Sequence, residues 1–176
     1  MVIILSKDFW KMYEELLDIV DDNDCVVDSL PRSEVHRLGL KHRAVHILVF
    51  NSRGEVFLQK RSMKKDKCPG LWDSSASGHL DSGEDYDKCA IRELREELGI
   101  TIVLTRLFKL PACKETDSEF VWVYKGSYDG AFILNEDEIS EGKWFIINDI
   151  DRLIKSSERW FSDSFIFVWK KWRKNA

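Results

Sequence analysis

The stretch GHLDSGEDYDKCAIRELREELGI, residues 78–100, sets Gly78, Glu84, Arg92, Glu93, Glu96, Glu97 and Gly99 at fixed spacings, with aliphatic Leu94 and Ile100 between and after them. At ordinary residue frequencies this pattern arises by accident with odds on the order of one in ten million. The segment also specifies its own local structure. Asp85 is a good N-cap after Ser82 and Gly83, Ala90, Leu94 and Leu98 recur every four residues, and Gly99 supplies a stop. A helix is expected between Asp85 and Gly99. At about 100° per residue, Glu96 falls about 60° to one side of Glu93 and Glu97 about 40° to the other. Three carboxylates then share one arc beside the apolar stripe, where they repel each other. A solvated acidic face, softened by Arg92 and Arg95, is one account of them. The other is a hard divalent cation, for which clustered carboxylate oxygens are suitable ligands.

The full set of positions resembles the signature of the Nudix hydrolase superfamily. That resemblance implies an α/β fold, an α/β/α sandwich around a mixed β-sheet, and a metal-dependent attack of water on a diphosphate. It makes Glu93, Glu96 and Glu97 metal ligands with the backbone carbonyl of Gly78, and gives Glu84 a supporting or second-metal role. The cofactor implied is Mg²⁺, with Mn²⁺ as a substitute. Arg92 orients the carboxylates in this reading, Glu93 takes the proton from water, and Glu119 is its rival from outside the motif.

Bulk properties agree with one domain spanning 1–176, with an N-terminal extension of about 40 residues and the motif at 78–100. The 176 residues are 44% apolar and 12% aromatic, enough for one sizeable core. A formal charge of −4 is too mild and of the wrong sign for an extended nucleic-acid footprint. No apolar run approaches the roughly 18 residues of a membrane helix, and no basic leader precedes MVIIL, so a soluble cytoplasmic protein acting on a small molecule is expected. Monomer and homodimer both remain open. Cys25, Cys68, Cys89 and Cys113 lack the spacing of a zinc site and suggest no disulfide framework; Cys89 reads as a helix residue and Cys113 as a strand residue.

Elsewhere, residues 8–17 give a helical signal, and 16–20 with 25–27 suggest a small hairpin around the turn 21–24. Residues 31–38 suggest a short helix with Ser29 as a cap. Residues 43–50 and 55–60 form a hairpin around the turn 51–54. Strands are expected at 101–107, 120–128 and 143–147, and helices at 150–155 and 163–173, the last burying Phe165, Val168, Trp169 and Trp172.

The run from His42 to Glu84 resembles the Nudix branch containing isopentenyl-diphosphate isomerases and their hydrolase relatives. The isomerases carry a catalytic cysteine just before a Gly-His pair, where this chain has Ser77 in WDSSASGH. A serine hydroxyl replaces that thiol poorly, and the isomerases tend to lack the complete carboxylate helix. Hydrolysis is therefore the expected reaction and prenyl isomerisation the alternative. By the same resemblance His42 and His79 match metal-binding histidines, His36 lies near a third, and Asp117 and Glu119 match an acidic pair. Arg61 and Lys65, in the basic run 60–67, match diphosphate-binding residues, and the remaining lysines read as surface. For a nucleotide base, Trp122, Tyr124, Trp160 and Phe161 are the aromatic candidates.

Overall fold

The computed structural model describes residues 14–156 and 158–175. A two-stranded sheet comes first: β1 (Leu16–Val20) and β2 (Val26–Pro31) pair antiparallel. Helix α1 (Arg32–Leu38) leads into β3 (His42–Phe50), the centre of a seven-stranded sheet. Its path is β5-β4-β3-β8-β7, where β4 is Val56–Arg61, β5 Trp72–Asp73, β7 Thr105–Leu110 and β8 Glu119–Ser127. Strand β6 (Ala76–His79) also pairs with β3, and β9 (Ile139–Phe145) with β4. The β3–β8 pair is parallel and the others antiparallel, so the sheet is mixed.

Alternation along β3 explains the layers. Val45, Ile47 and Val49 pack with Ala90, Leu94 and Leu98 of α2 (Tyr86–Leu98). Ala44, Leu48 and Phe50 pack on the other side, with Ile150 of α3 (Ile147–Ile154) and Phe165, Val168 and Trp169 of α4 (Asp163–Asn175). Side chains two apart on a strand share a face, so one strand feeds both cores and the α/β/α sandwich follows. Each fully buried leucine of α2 contributes about 2 kcal/mol of apolar burial. Asp85 accepts the Lys88 N–H at 3.0 Å, and Gly99 closes the helix at φ 67°, as its sequence signals require.

Strands β3 and β4 pair only at Val49–Phe57 and Phe50–Val56. Beyond that point β3 takes β6 as its partner while β4 takes β5 and β9. The two strands diverge, and the gap opens into a cleft of about 1150 Å³.

Several boundaries differ from expectation. Of the helical signal at 8–17, residues 8–13 lie outside the described residues, and Leu16 and Leu17 are in β1. Ser29 belongs to β2 rather than capping α1, whose start carries no side-chain cap. The strand expected at 101–107 begins at Thr105, because its extent follows its pairing with β8. The strand expected at 143–147 spans Ile139–Phe145, and α3 starts at Ile147. Cys113 lies in the loop before β8, not in a strand. Among the described residues no helix is long and apolar enough to cross a membrane.

Candidate active site

Helix α2 carries Glu93 and Glu97 into the cleft as buried side chains, 8% and 5% exposed, with Glu96 more open on the same rim. One helical turn separates Glu93 from Glu97, and their shared burial is costly to both as anions. Burial, then the Glu97 charge, raises the Glu93 carboxyl well above its ordinary range. Burial pushes Glu97 up to about 8, against the Ser77 N–H and the Gln59 amide that bond its Oε2 at 3.0 and 2.9 Å. Two buried carboxyls that resist ionisation are poised to take a cation in place of protons.

Gly78 is the close neighbour of this pair. A Cβ at residue 78 would sit 2.1 Å from Glu93 Oε1, so only glycine lets the β6 backbone come this near. Arg92 binds the carboxylates together. It donates to Glu84 through Nε and Nη2 at 3.0 and 2.8 Å, to Glu93 at 2.7 Å and to Glu96 at 3.1 Å. Its Nη2 also reaches the His79 carbonyl at 2.9 Å. Glu84 does not line the cleft; it holds the guanidinium that holds the others.

The histidines form a second cluster, of which His36 and His79 line the same cleft with Glu119, while His42 is buried behind them. His36, His42, His79 and Glu119 each offer a ligand atom within 4.8 Å of the rest. A helix and three strand ends far apart in sequence supply them: α1, the first residue of β3, the last of β6 and the first of β8. His42 is 1% exposed, and its Nδ1 meets the Leu40 carbonyl at 2.9 Å. A carbonyl only accepts, so Nδ1 carries a hydrogen and Nε2 is the ring nitrogen turned toward the cluster. That Nε2, like the one on His36, is buried without a hydrogen-bond partner. Burial and then the neighbouring His79 lower His36 to about 3, leaving it a neutral ring. Burial would raise Glu119, but His42 and His79 outweigh it and hold the carboxyl well below the usual range. Its Oε1 lies 3.1 Å from His79 Nε2 and 3.6 Å from His42 Nε2. Orphaned imidazole nitrogens around an ionised carboxylate fit a transition cation.

Sequence reasoning paired Asp117 with Glu119, and both line the cleft, with Asp117 outside the histidine cluster that includes Glu119. Asp117, at φ 53°, forms an ion pair with Lys67. Arg61 and Lys65 both line the cleft, Arg61 through β4 and Lys65 paired with Glu138. None of the four aromatic candidates lines it. Trp122 lies under Arg106 at 4.8 Å, Tyr124 bonds Asp87 at 2.7 Å, Phe161 is in the core, and Trp160 is partly exposed outside the cleft. Gln59, Asp73 and His46 were not anticipated. Their only signal was a polar residue at a strand position alternating with buried neighbours.

Buried carboxylates beside guanidinium and ammonium groups, in a cleft between diverging strands of an α/β/α sandwich, define a phosphoanhydride-cleaving class of hydrolase. The NUDIX domain pattern matches residues 40–165, and the chain belongs to the Nudix family, whose hydrolases cleave diphosphate linkages and generally use divalent cations. It is 33% identical over 150 residues to isopentenyl-diphosphate Delta-isomerase 2 of Photorhabdus laumondii, covering 82% of this chain and 84% of that protein. It is 39% identical over 132 residues to an uncharacterized Nudix hydrolase of Pseudomonas aeruginosa, covering 74% and 78%. The crystal structure of DR0079 from Deinococcus radiodurans superposes with a TM-score of 0.78 at 30% identity, covering 88% of this chain and 97% of that one.

Proposed function

We propose that the chain hydrolyses a diphosphate linkage in a nucleoside diphosphate derivative or similar small molecule, with Mg²⁺ or Mn²⁺ held by Glu93, Glu96, Glu97 and the Gly78 carbonyl. The observation that carries this reading is the burial of Glu93 and Glu97 side by side in a cleft that also receives Arg61 and Lys65. A divalent cation bound there offsets the carboxylates and the charge that develops on the diphosphate. Arg61 and Lys65 bind phosphate oxygens, the first as a planar fork and the second as a point charge. Arg92 keeps the carboxylates aimed. Water attacks one phosphorus as the bond to the bridging oxygen breaks, and Glu93 accepts the water's proton. Glu119 is the rival base; its two histidine neighbours favour a ligand role, with His36, His42 and His79, for a second cation of transition-metal type. The working unit extends beyond the matched range, since Arg32 and His36 also line the cleft.

The second reading is isomerisation of a short prenyl diphosphate. The histidine cluster favours it, and so do the relatives bearing that name. Ser77 opposes it, because a hydroxyl is a poor proton donor and acceptor at a double bond. One panel separates the two: phosphate release from nucleoside di- and triphosphates, nucleotide sugars and prenyl diphosphates, with the double-bond shift of isopentenyl diphosphate followed in parallel. Release from at least one member, falling by about a hundredfold or more in Glu93→Gln, is the expected result. A double-bond shift with no release from any member would replace hydrolysis by isomerisation, and a loss under about tenfold in Glu93→Gln would move the base elsewhere.

A further inference from the structure

His46, Asp73 and Arg61 form a line of polar groups along the cleft, and the hydrolysis derived above gives His46 and Asp73 no role. His46 is four residues beyond His42 on β3, yet it lies outside the histidine cluster. It is 4% exposed and Asp73 is 3% exposed. His46 Nδ1 lies 2.7 Å from Ser74 Oγ and 3.7 Å from Asp73 Oδ1. Asp73 Oδ1 accepts the Ser74 N–H at 2.7 Å, while Oδ2 faces Arg61 Nη1 at 3.6 Å. Arg61 Nε is fixed in turn on the Lys67 carbonyl at 2.9 Å. A buried carboxylate persists only where donors surround it, and Asp73 draws Arg61 and His46 from two different strands.

With Nδ1 occupied, Nε2 is the nitrogen left over. It makes no hydrogen bond among the described residues, and it is not sealed off as the His36 and His42 Nε2 atoms are. Across β6, His46 pairs with Ser77, whose N–H bonds Glu97. The β3 backbone at His46 is therefore one strand from the segment that bonds Glu97, while the His46 ring lies on the Ala44 and Leu48 face of β3, where Asp73 stands between it and Arg61.

We infer that His46 contacts substrate in this cleft, donating Nε2–H to a phosphate oxygen, and that Asp73 is the positioning residue that sets both His46 and Arg61. The inference rests on the diphosphate reading above. The Ser74 hydroxyl donates to Nδ1 when the neutral ring carries its hydrogen on Nε2, the tautomer this contact requires, and accepts from Nδ1–H when the ring is charged. Nε2–H is available in both. Arg61 and His46 then offer converging donors to neighbouring phosphate oxygens, and Asp73 keeps their spacing.

The test uses the full chain, Mg²⁺ and methylene diphosphonate, whose P–C–P bridge is not hydrolysed. The histidine ring ¹⁵N and ¹H resonances are followed on titration, with His46 assigned from the signal lost in His46→Gln. The His46 Nε2 resonance is expected to move on binding. His46→Leu should weaken the diphosphonate by about tenfold or more, as loss of a hydrogen bond to a charged group does. His46→Gln, whose amide can still donate, should stay within about threefold. Asp73→Asn should move the His46 ring signals in the free protein and weaken the diphosphonate as well. An unmoved His46 resonance, diphosphonate that fails to bind, or wild-type affinity in His46→Leu overturns the contact. Unchanged His46 signals in Asp73→Asn overturn the positioning role. If the His46 resonance moves but no diphosphate in the panel is cleaved, the hydrolysis reading falls and the contact stands. The titration itself is read on the wild-type chain, and His46→Gln supplies only its assignment.

Discussion

Glu97 shows how one residue ties burial to chemistry. Its folded carboxyl titrates at about 8 rather than 4.5, so the stability linked to it is fully present below pH 4.5 and is lost as pH rises through about 8. His36 runs the other way: lowered from 6.5 to about 3, its share is present above pH 6.5 and lost as pH falls toward 3. Between pH 6.5 and 8.5 only the Glu97 trend acts in this pair. Thermal melts of metal-free protein should therefore fall across that window, and Glu97→Gln should flatten the fall; an equally steep fall in the variant would disprove the assignment. Gly78 makes the second case. Gly78→Ala should cut turnover by about a hundredfold or more while the melting temperature changes little, since the added methyl meets the tip of Glu93 rather than backbone. The spacing of Gly78 to Glu93 was legible in the sequence, but their contact was not.

Among the elements, β1 does more than cover an edge. Asp18, 7% exposed, accepts Ser82 Oγ at 2.7 Å and the Gly83 N–H at 2.9 Å, and the Leu16 carbonyl accepts the Ser82 N–H at 2.8 Å. These bonds hold the loop that leads to Glu84. Asp18→Ala leaves two donors without an acceptor and should cost about 1–3 kcal/mol, read as a lower denaturant midpoint, with faster amide exchange at Gly83. Unchanged exchange there would show that the hairpin does not brace the motif. Helix α2 was readable end to end because its cap, its apolar period and its terminal glycine all act within a few residues. Strand β7 was misplaced by several residues because an edge strand begins where its partner allows, and its first residue, Thr105, pairs with Lys125 at the far end of the hairpin. The short β5 and β6 were missed altogether. Two to four residues carry too little pattern to distinguish a strand from a loop.

For the whole molecule, the cleft is where distant segments meet. Arg32 reaches Asp66 at 3.0 Å, Lys64 reaches Asp137 at 2.7 Å, and Lys65 and Lys67 pair with Glu138 and Asp117, so the basic loop is tethered to three neighbouring segments. Two ligand sets of different chemistry open on this one cavity. Protein loaded with Mn²⁺ and Mg²⁺ should lose its more tightly held transition metal in His42→Ala, measured by elemental analysis after gel filtration, while Mg²⁺-dependent turnover drops less than in Glu93→Gln. Equal metal content in both proteins would remove the histidines as ligands. The sequence by itself determined the acidic helix, its caps, the Nudix family and the chemistry its carboxylates imply, because each of those is written within one turn or one motif. Only the tertiary structure decided that His36, His42, His79 and Glu119 converge, that Asp117 pairs with Lys67, and that Asp73 links His46 to Arg61. Those groups come from strands and loops brought together by sheet pairing, and pairing is a property of the folded chain that no local stretch of it carries.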